Sequence, residues 1–441
     1  MKRLLSLLLC AVLALFCATT AQAAGVSITL TASEYALHYA FDAGAQDPFV
    51  ILEYATPAEK GWMMLYSEDG HFEGDVSLTY SGAGGKTSVA LTSARTTGSI
   101  GKASTTLPKA ADYQKPTGKS NAKVTDFVLT ETPEGFHYAF NAIGTDYMLL
   151  YWRSKEQTVT QPVYPDENGH YEGDVVSELT FARTQFTVQV KSGSGSMKKE
   201  ATVRKGYQVP EAPQRQEGRL SGVTVCIDAG HQENGRFVNE PIGPGLTGST
   251  SGKGGMAQGT KTNRRESIVC LEIGMLLRDE LLRQGANVVM TREDQTTFHT
   301  NIERCEIAEA GGAQIMLRLH CNNSSNRSKR GIQVYGPLNS DYAKAVADAD
   351  TYREMGQKLL DAMKTRVGMT LANSTGMVRL NDNYVGNNWA KMMCFLVEMG
   401  YLSNPAEEYL LVTPVYQQWL AEGMADGVYE IAVARGWVQA Q

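Results

Sequence analysis

Val223-Thr224-Val225-Cys226-Ile227-Asp228-Ala229-Gly230-His231 is the stretch that decides the fold of this chain. An apolar run of strand length, closing on a polar corner with a glycine, reads as a strand buried on both faces. It delivers a histidine just past its carboxyl end. The pattern returns downstream. Residues 286–290 read as a second strand, 313–319 as a third that ends at His320, and 394–397 as a fourth that ends at Glu398. Between them, Ile268, Leu271, Met275 and Leu282 lie at helical spacing in 266–284, and 302–310, 352–367 and 415–434 read as further helices. Alternation of this kind predicts an open, mostly parallel sheet flanked by helices. Ligands of such sheets bind beyond the carboxyl ends of the strands, where His231, His320 and Glu398 converge.

Two histidines and glutamates at one sheet end suit a particular chemistry. Catalytic zinc takes three protein ligands, often two His and one Glu, and keeps a position for water. A further carboxylate can then carry a proton from that water to a leaving amine. Each residue also has a plain structural reading. A strand-end histidine can simply pack or hydrogen-bond, and Glu266 at a helix start is favoured by the helix dipole. The residues alone lead to a metallohydrolase and no further.

Upstream, the chain repeats itself. His38-Tyr39-Ala40-Phe41 returns as His137-Tyr138-Ala139-Phe140, 99 residues later, and Gly70-His71-Phe72-Glu73-Gly74-Asp75-Val76 returns as Gly169-His170-Tyr171-Glu172-Gly173-Asp174-Val175 at the same offset. Two blocks at one offset mark a duplicated module. Alternation at Leu37, Tyr39 and Phe41, and at Phe136, Tyr138 and Phe140, predicts short strands and two small immunoglobulin-like β-sandwiches. His38, His71, His137 and His170 with Glu73 and Asp75 form either scaffold pairs or a metal site, and turn-to-strand positions favour the scaffold. Residues 103–120 and 206–219 read as linkers.

The first residues set the compartment. Lys2 and Arg3 precede an apolar run over 4–16, and Ala21-Gln22-Ala23 supplies a cleavage signal; this is the layout of a secretory leader. Phe16 before Cys17 argues against a lipoprotein, and no later segment approaches the roughly 20 apolar residues of a membrane span. The expected organisation is leader 1–23, β-modules 24–102 and 121–205 with their linkers, and an α/β domain over 220–441. The formal net charge of −6, from 41 Lys+Arg and 47 Asp+Glu, argues against broad nucleic-acid binding. Five cysteines remain after the leader, 226, 270, 305, 321 and 394, too few and too late in the chain for a disulfide framework.

Asp228-Ala229-Gly230-His231-Gln232, Glu266 at a helix start, Leu319-His320-Cys321-Asn322 and Val397-Glu398-Met399-Gly400-Tyr401-Leu402-Ser403-Asn404-Pro405 follow one another in an order that resembles the zinc-dependent N-acetylmuramoyl-L-alanine amidases, over about residues 220–436. The DAGHQ form resembles one branch of that family. The resemblance implies an α/β fold and cleavage of the amide joining the lactyl group of N-acetylmuramic acid to L-alanine in peptidoglycan. By position it implies His231, Glu266 and His320 as ligands of Zn2+, and Glu398 as the catalytic glutamate. Cys321 stands where the family often has alanine and is expected beside the ligands rather than among them. Residues 232–263 are longer than in compact members and are expected to form a loop beside the site. His299 is expected at the surface near a helix cap, and Arg292 and Asn322 in structural roles. The sequence therefore predicts an exported enzyme of the extracellular space, cell wall or periplasm, with peptidoglycan as partner and β-modules that hold wall polymers or a protein partner or act as spacers. The rival readings are a zinc peptidase cutting within the stem peptide and a wall-binding protein without activity.

Overall fold

Period-two alternation builds the first two hundred residues into strands, and the computed structural model pairs them into two β units. It describes residues 19–440 apart from 23–25, 34–35, 58–59, 79–83, 97, 110–120, 133–134, 146, 154–157, 177–183, 193–195, 206–208, 233–237, 251–254 and 368–376. The first unit holds β1 (Thr19–Gln22), β2 (Ser27–Ala32), β3 (Ala36–Asp42), β4 (Phe49–Ala55), β5 (Lys60–Tyr66), β6 (His71–Ser77), β7 (Gly85–Ser93) and β8 (Ser99–Leu107). Its sheets run β1-β2-β3-β6 and β5-β4-β7-β8. Leu37, Tyr39 and Phe41 from one sheet and Val50, Leu52, Val89 and Leu91 from the other close a single core between them. The second unit holds β9 (Lys123–Thr132), β10 (Gly135–Ile143), β11 (Met148–Arg153), β12 (Thr158–Val163), β13 (His170–Val176), β14 (Thr184–Ser192) and β15 (Met197–Lys205). Its orders, β13-β10-β9 and β12-β11-β14-β15, match the first unit without β1.

Two expectations shift. Strand β8 continues to Leu107, because Ala103, Thr105 and Leu107 alternate inward, so the first linker cannot begin at 103. Most of that linker, 110–120, lies outside the described residues, as do residues 1–18 and Ala23 of the expected leader. Strand β1 falls within the span expected to be a leader and pairs antiparallel with β2.

The matched histidines form surface ladders. His38 Nδ1 lies 3.1 Å from Asp75 and His71 Nδ1 2.7 Å from Asp42, with Glu73 between the two rings. His137 pairs with Asp174 at 2.9 Å, and His170 with Asn141 at 2.8 Å. These are cross-strand partners in register, His38 opposite Asp75 and His137 opposite Asp174. Exposed pairs of this kind contribute little stability. They satisfy one another across the strands.

The C-terminal half carries one six-stranded sheet of β16 (Thr224–Ala229), β17 (Asn287–Met290), β18 (Ile315–Asn322), β19 (Gln333–Gly336), β20 (Met377–Leu380) and β21 (Met393–Tyr401), ordered β17-β16-β18-β21-β19-β20. The first four in that order run parallel. Strand β19, absent from the sequence reading, is antiparallel to β21. Helices cover both faces. Val225, Ile227, Leu317 and Phe395 bury against helices α1 (Glu266–Arg283), α4 (Ala349–Val367) and α7 (Pro414–Ala434). Cys226, Met316 and Cys394 face α2 (Asn301–Ala310) on the other side. Two short helices, α3 (Asp341–Val346) and α5 (Val385–Trp389), flank that layer, and α6 (Glu407–Leu411) precedes α7. Cys226, Cys270, Cys305, Cys321 and Cys394 are buried free thiols. No helix among the described residues is long and apolar enough to cross a membrane.

The first β unit docks on this half. Phe49, on the outer side of β4, has its ring 5.1 Å from Trp419 and 5.9 Å from Tyr416 of α7. Ile51 and Met64 pack on Ala406 and Tyr409, and Trp62 lies over Tyr409 at 4.3 Å.

Candidate active site

Strand β16 ends on a buried charge. Asp228 is fully enclosed, and its carboxylate accepts from Thr291 Oγ1 at 2.8 Å, from Arg318 Nε at 2.9 Å and from Arg304 Nη1. Burial works against the charge, but the two guanidiniums outweigh it and hold Asp228 well below the usual carboxylate range. Arg304 continues to the carbonyls of Ala229 at 3.0 Å and His231 at 3.1 Å. Arg292 holds the carbonyls of Ala229, Gly230 and Ser267 at 2.7, 2.9 and 2.7 Å. Three successive carbonyls are thus gripped by arginines, which over-determines the turn. Within it His231 takes φ +57°, a left-handed conformation that non-glycine residues adopt only when the surroundings impose it. Gly230 is equally constrained: a Cβ there would lie 2.6–2.7 Å from the His320 ring.

That turn brings His231 to Glu266 and His320. Glu266, the first residue of α1, is 3 % exposed. Its Oε1 lies 3.1 Å from His231 Nε2 and 2.9 Å from His320 Nδ1, and accepts from the Cys321 amide at 3.0 Å. Its Oε2 accepts from the Ala257 amide at 2.8 Å. The imidazole rings meet edge-on, centroids 4.9 Å apart. Burial raises the Glu266 carboxyl, but hydrogen bonds from both histidines more than reverse this and leave it depressed. His320 moves down, chiefly through burial. One donor atom from each of the three residues falls within 4.8 Å of the others.

Glu398 stands beside this group on β21, in register with His320. Among the described residues its Oε2 has no hydrogen-bond partner. Burial, and then the negative charge of Glu266, push its carboxyl well above the ordinary value. All four residues line one cavity of about 580 Å³, whose walls include Arg304, Asn323 and Tyr384.

The structure brings together all four residues singled out in the sequence, and adds others. His299 lines the same cavity rather than only neighbouring a cap, and Thr300 after it caps α2. Cys321 supplies its amide to Glu266, while its buried thiol faces Cys270. Asn322 Nδ2 donates to Gln333 at 3.0 Å. Of the expected loop, 233–237 and 251–254 lie outside the described residues. Its middle is a hairpin, bridged at Pro241–Ser249, whose Glu240 caps α2 by accepting from Asn301 and Ile302. Sequence reading missed Arg318, although a charged residue inside the apolar run Ile315-Met316-Leu317-Arg318-Leu319 announces a buried partner.

Residues 225–430 match the family described as N-acetylmuramoyl-L-alanine amidase. Those residues form a domain of that family. The amidase domain resembles the germination-specific N-acetylmuramoyl-L-alanine amidase of Bacillus subtilis, 26% identical over 231 residues that cover 49% of this chain and 83% of the relative. It also resembles the probable cell wall amidase LytH of Staphylococcus aureus, 27% identical over 235 residues, 52% of this chain and 72% of the relative. Among solved structures, the amidase Ami1 of Mycobacterium abscessus aligns with a TM-score of 0.43 and 20% identity over 48% of this chain and 99% of that one.

Proposed function

We propose that this chain is an exported, zinc-dependent peptidoglycan hydrolase that cuts the amide between N-acetylmuramic acid and the L-alanine of the stem peptide. The observation that carries the reading is the meeting of His231, Glu266, His320 and Glu398 in one cavity within the family-matched residues. Two imidazoles and a carboxylate are a donor set that zinc takes in hydrolases, and amides of Ala257 and Cys321 already orient the carboxylate. His231, Glu266 and His320 would hold the ion. Zinc bound there supplies Lewis acidity, which acidifies a water and polarises a carbonyl.

The chain's own groups do the rest. Glu398, with an unpartnered oxygen and a proton affinity raised by burial and by Glu266, takes the proton of the attacking water and returns it to the leaving alanine nitrogen. Arg292 and Arg304 keep the His231 turn rigid, so the ring needs no reorganisation when substrate arrives. The two β units read as a duplicated immunoglobulin-like module, supported by strand orders that match once β1, which falls within the leader proposed over 1–23, is set aside. Export is supported by the relative named a cell wall amidase.

The test is which bond breaks. Digestion of purified peptidoglycan should release peptides with a free N-terminal alanine in step with solubilised peptide, and create no new reducing sugar ends. A new amine on a later stem residue, with the first alanine still on the sugar, would convict a peptidase instead.

A further inference from the structure

The carboxylate of Glu266 is oriented from two directions, and one leads out of the amidase domain. Its Oε2 rests on the Ala257 amide, at the open end of a short hairpin over 257–266. The Glu266 amide returns a bond to the Ala257 carbonyl at 2.9 Å, the Gly259 amide bonds the Arg264 carbonyl at 2.9 Å, and Gln258 bridges Arg265. The tip turns at Asn263, which takes φ +54°. A ten-residue hairpin without a core of its own needs an anchor to hold one geometry.

The anchor is Glu408 of α6, which is completely enclosed. Its Oε1 accepts from Thr260 Oγ1 at 3.2 Å, and its Oε2 from the amides of Lys261 at 2.9 Å and Thr262 at 3.4 Å. The fit leaves no slack, since a Cβ at Gly259 would lie 2.5 Å from Glu408 Oε2. The next residue, Tyr409, is held by the first β unit: its ring lies 4.3 Å from that of Trp62, and its hydroxyl donates to Glu53 at 3.4 Å. Glu53 also lies 4.0 Å from the Lys261 ammonium at the hairpin tip. The first β unit therefore touches both the anchor helix and the hairpin that the anchor holds.

The geometry points to Glu408 as a positioning residue for Glu266, and to the first β unit, through Trp62 and Glu53, as part of the apparatus that keeps the ligand carboxylate aimed. This rests on the reading of His231, Glu266 and His320 as a zinc site. Loss of the anchor frees the hairpin tip, weakens the Ala257 bond and lets the Glu266 carboxylate rotate away from the two histidines. None of these contacts among the described residues involves the second β unit.

The experiment uses the full-length protein with Glu408→Ala, Glu408→Gln, Gly259→Ala and Trp62→Ala, and Tyr151→Ala in the second β unit as control. Two readouts are taken: zinc affinity by competition with a chromogenic chelator, and hydrogen exchange of residues 255–266 in metal-free protein. Glu408→Ala should weaken zinc binding roughly tenfold, the scale on which partners of metal ligands act. Glu408→Gln should stay within about twofold, because its amide oxygen can still accept from Lys261. Trp62→Ala and Gly259→Ala should fall between, with faster exchange at Ala257 in each, and Tyr151→Ala should match wild type. Wild-type affinity and exchange in Glu408→Ala would overturn the proposal; if that variant does not fold, the same result in Gly259→Ala does so. An effect in Glu408→Ala with none in Trp62→Ala would overturn the part assigned to the β unit. Wild-type protein that binds no zinc would overturn the site reading instead, and exchange alone then decides the coupling.

Discussion

Replacing Glu398 with glutamine separates a proton carrier from a metal ligand or a packing residue. The substitution keeps the shape of the side chain and removes its charge. Oε2 accepts no hydrogen bond among the described residues, so none is lost there. What disappears is a carboxylate whose ionised form is disfavoured by burial and by Glu266. A group with a folded-state pKa raised above its unfolded value contributes stability below the unfolded value and loses it as pH climbs through the folded one. Metal-free Glu398→Gln should therefore melt at or above wild type, with a gap that widens as pH climbs above the ordinary carboxylate range. Activity should move the other way. A missing general base lowers the rate by about 10²–10⁴, or about 3–5 kcal/mol of transition-state stabilisation. The assay is kcat on soluble muropeptides, with zinc content measured by elemental analysis on the same samples and melting followed after zinc removal. A variant that sheds zinc and regains the wild-type rate on reloading would make Glu398 a ligand and refute the argument. So would a variant with full zinc and an unchanged rate.

Chelation should abolish turnover and added zinc restore it; zinc at about a hundred times its Kd should also stabilise the fold by about 2.7 kcal/mol, visible as a rise in Tm. Full activity in protein shown to be metal-free would defeat the zinc reading. Asp228→Asn leaves two buried guanidiniums without their counter-charge and should destabilise the C-terminal half by about 3–5 kcal/mol in urea titrations. A loss under about 1 kcal/mol would mean that the arginines find other partners. Burial pushes the Glu407 carboxyl up to about 7, against the amides of Tyr401 and Gly331 that bond its ionised form. Stability should accordingly fall as pH rises from about 4.5 through about 7, and Glu407→Gln should flatten that slope. An identical slope in the variant would place the titration elsewhere.

Much of the fold was legible because its periodicities are local. The apolar runs before His231, His320 and Glu398 had no use for alternation, since helices cover both sides of their sheet. The helix expected over 266–284 spans Glu266–Arg283, and that over 415–434 spans Pro414–Ala434. Four-residue strands such as β19 and β20 escaped notice because so short a run carries no period to read.

The sequence by itself singled out the four residues that the fold brings together, His231, Glu266, His320 and Glu398, and their order along the chain. Strand-end position puts His231, His320 and Glu398 at one end of a parallel sheet whatever the loops do. Only the tertiary structure decided the distances, since Glu266 reaches both histidines through a helix start whose placement depends on Arg292, the hairpin over 257–266 and Glu408. It alone decided that His231 adopts a left-handed turn, because arginines more than sixty residues away grip the carbonyls around it. It decided, too, that the first β unit is seated against the amidase domain, through Phe49, Ile51 and Trp62. In sequence those side chains are ordinary members of alternating strands. Alternation tells which two faces a strand has, and only a packed neighbour tells what each face meets.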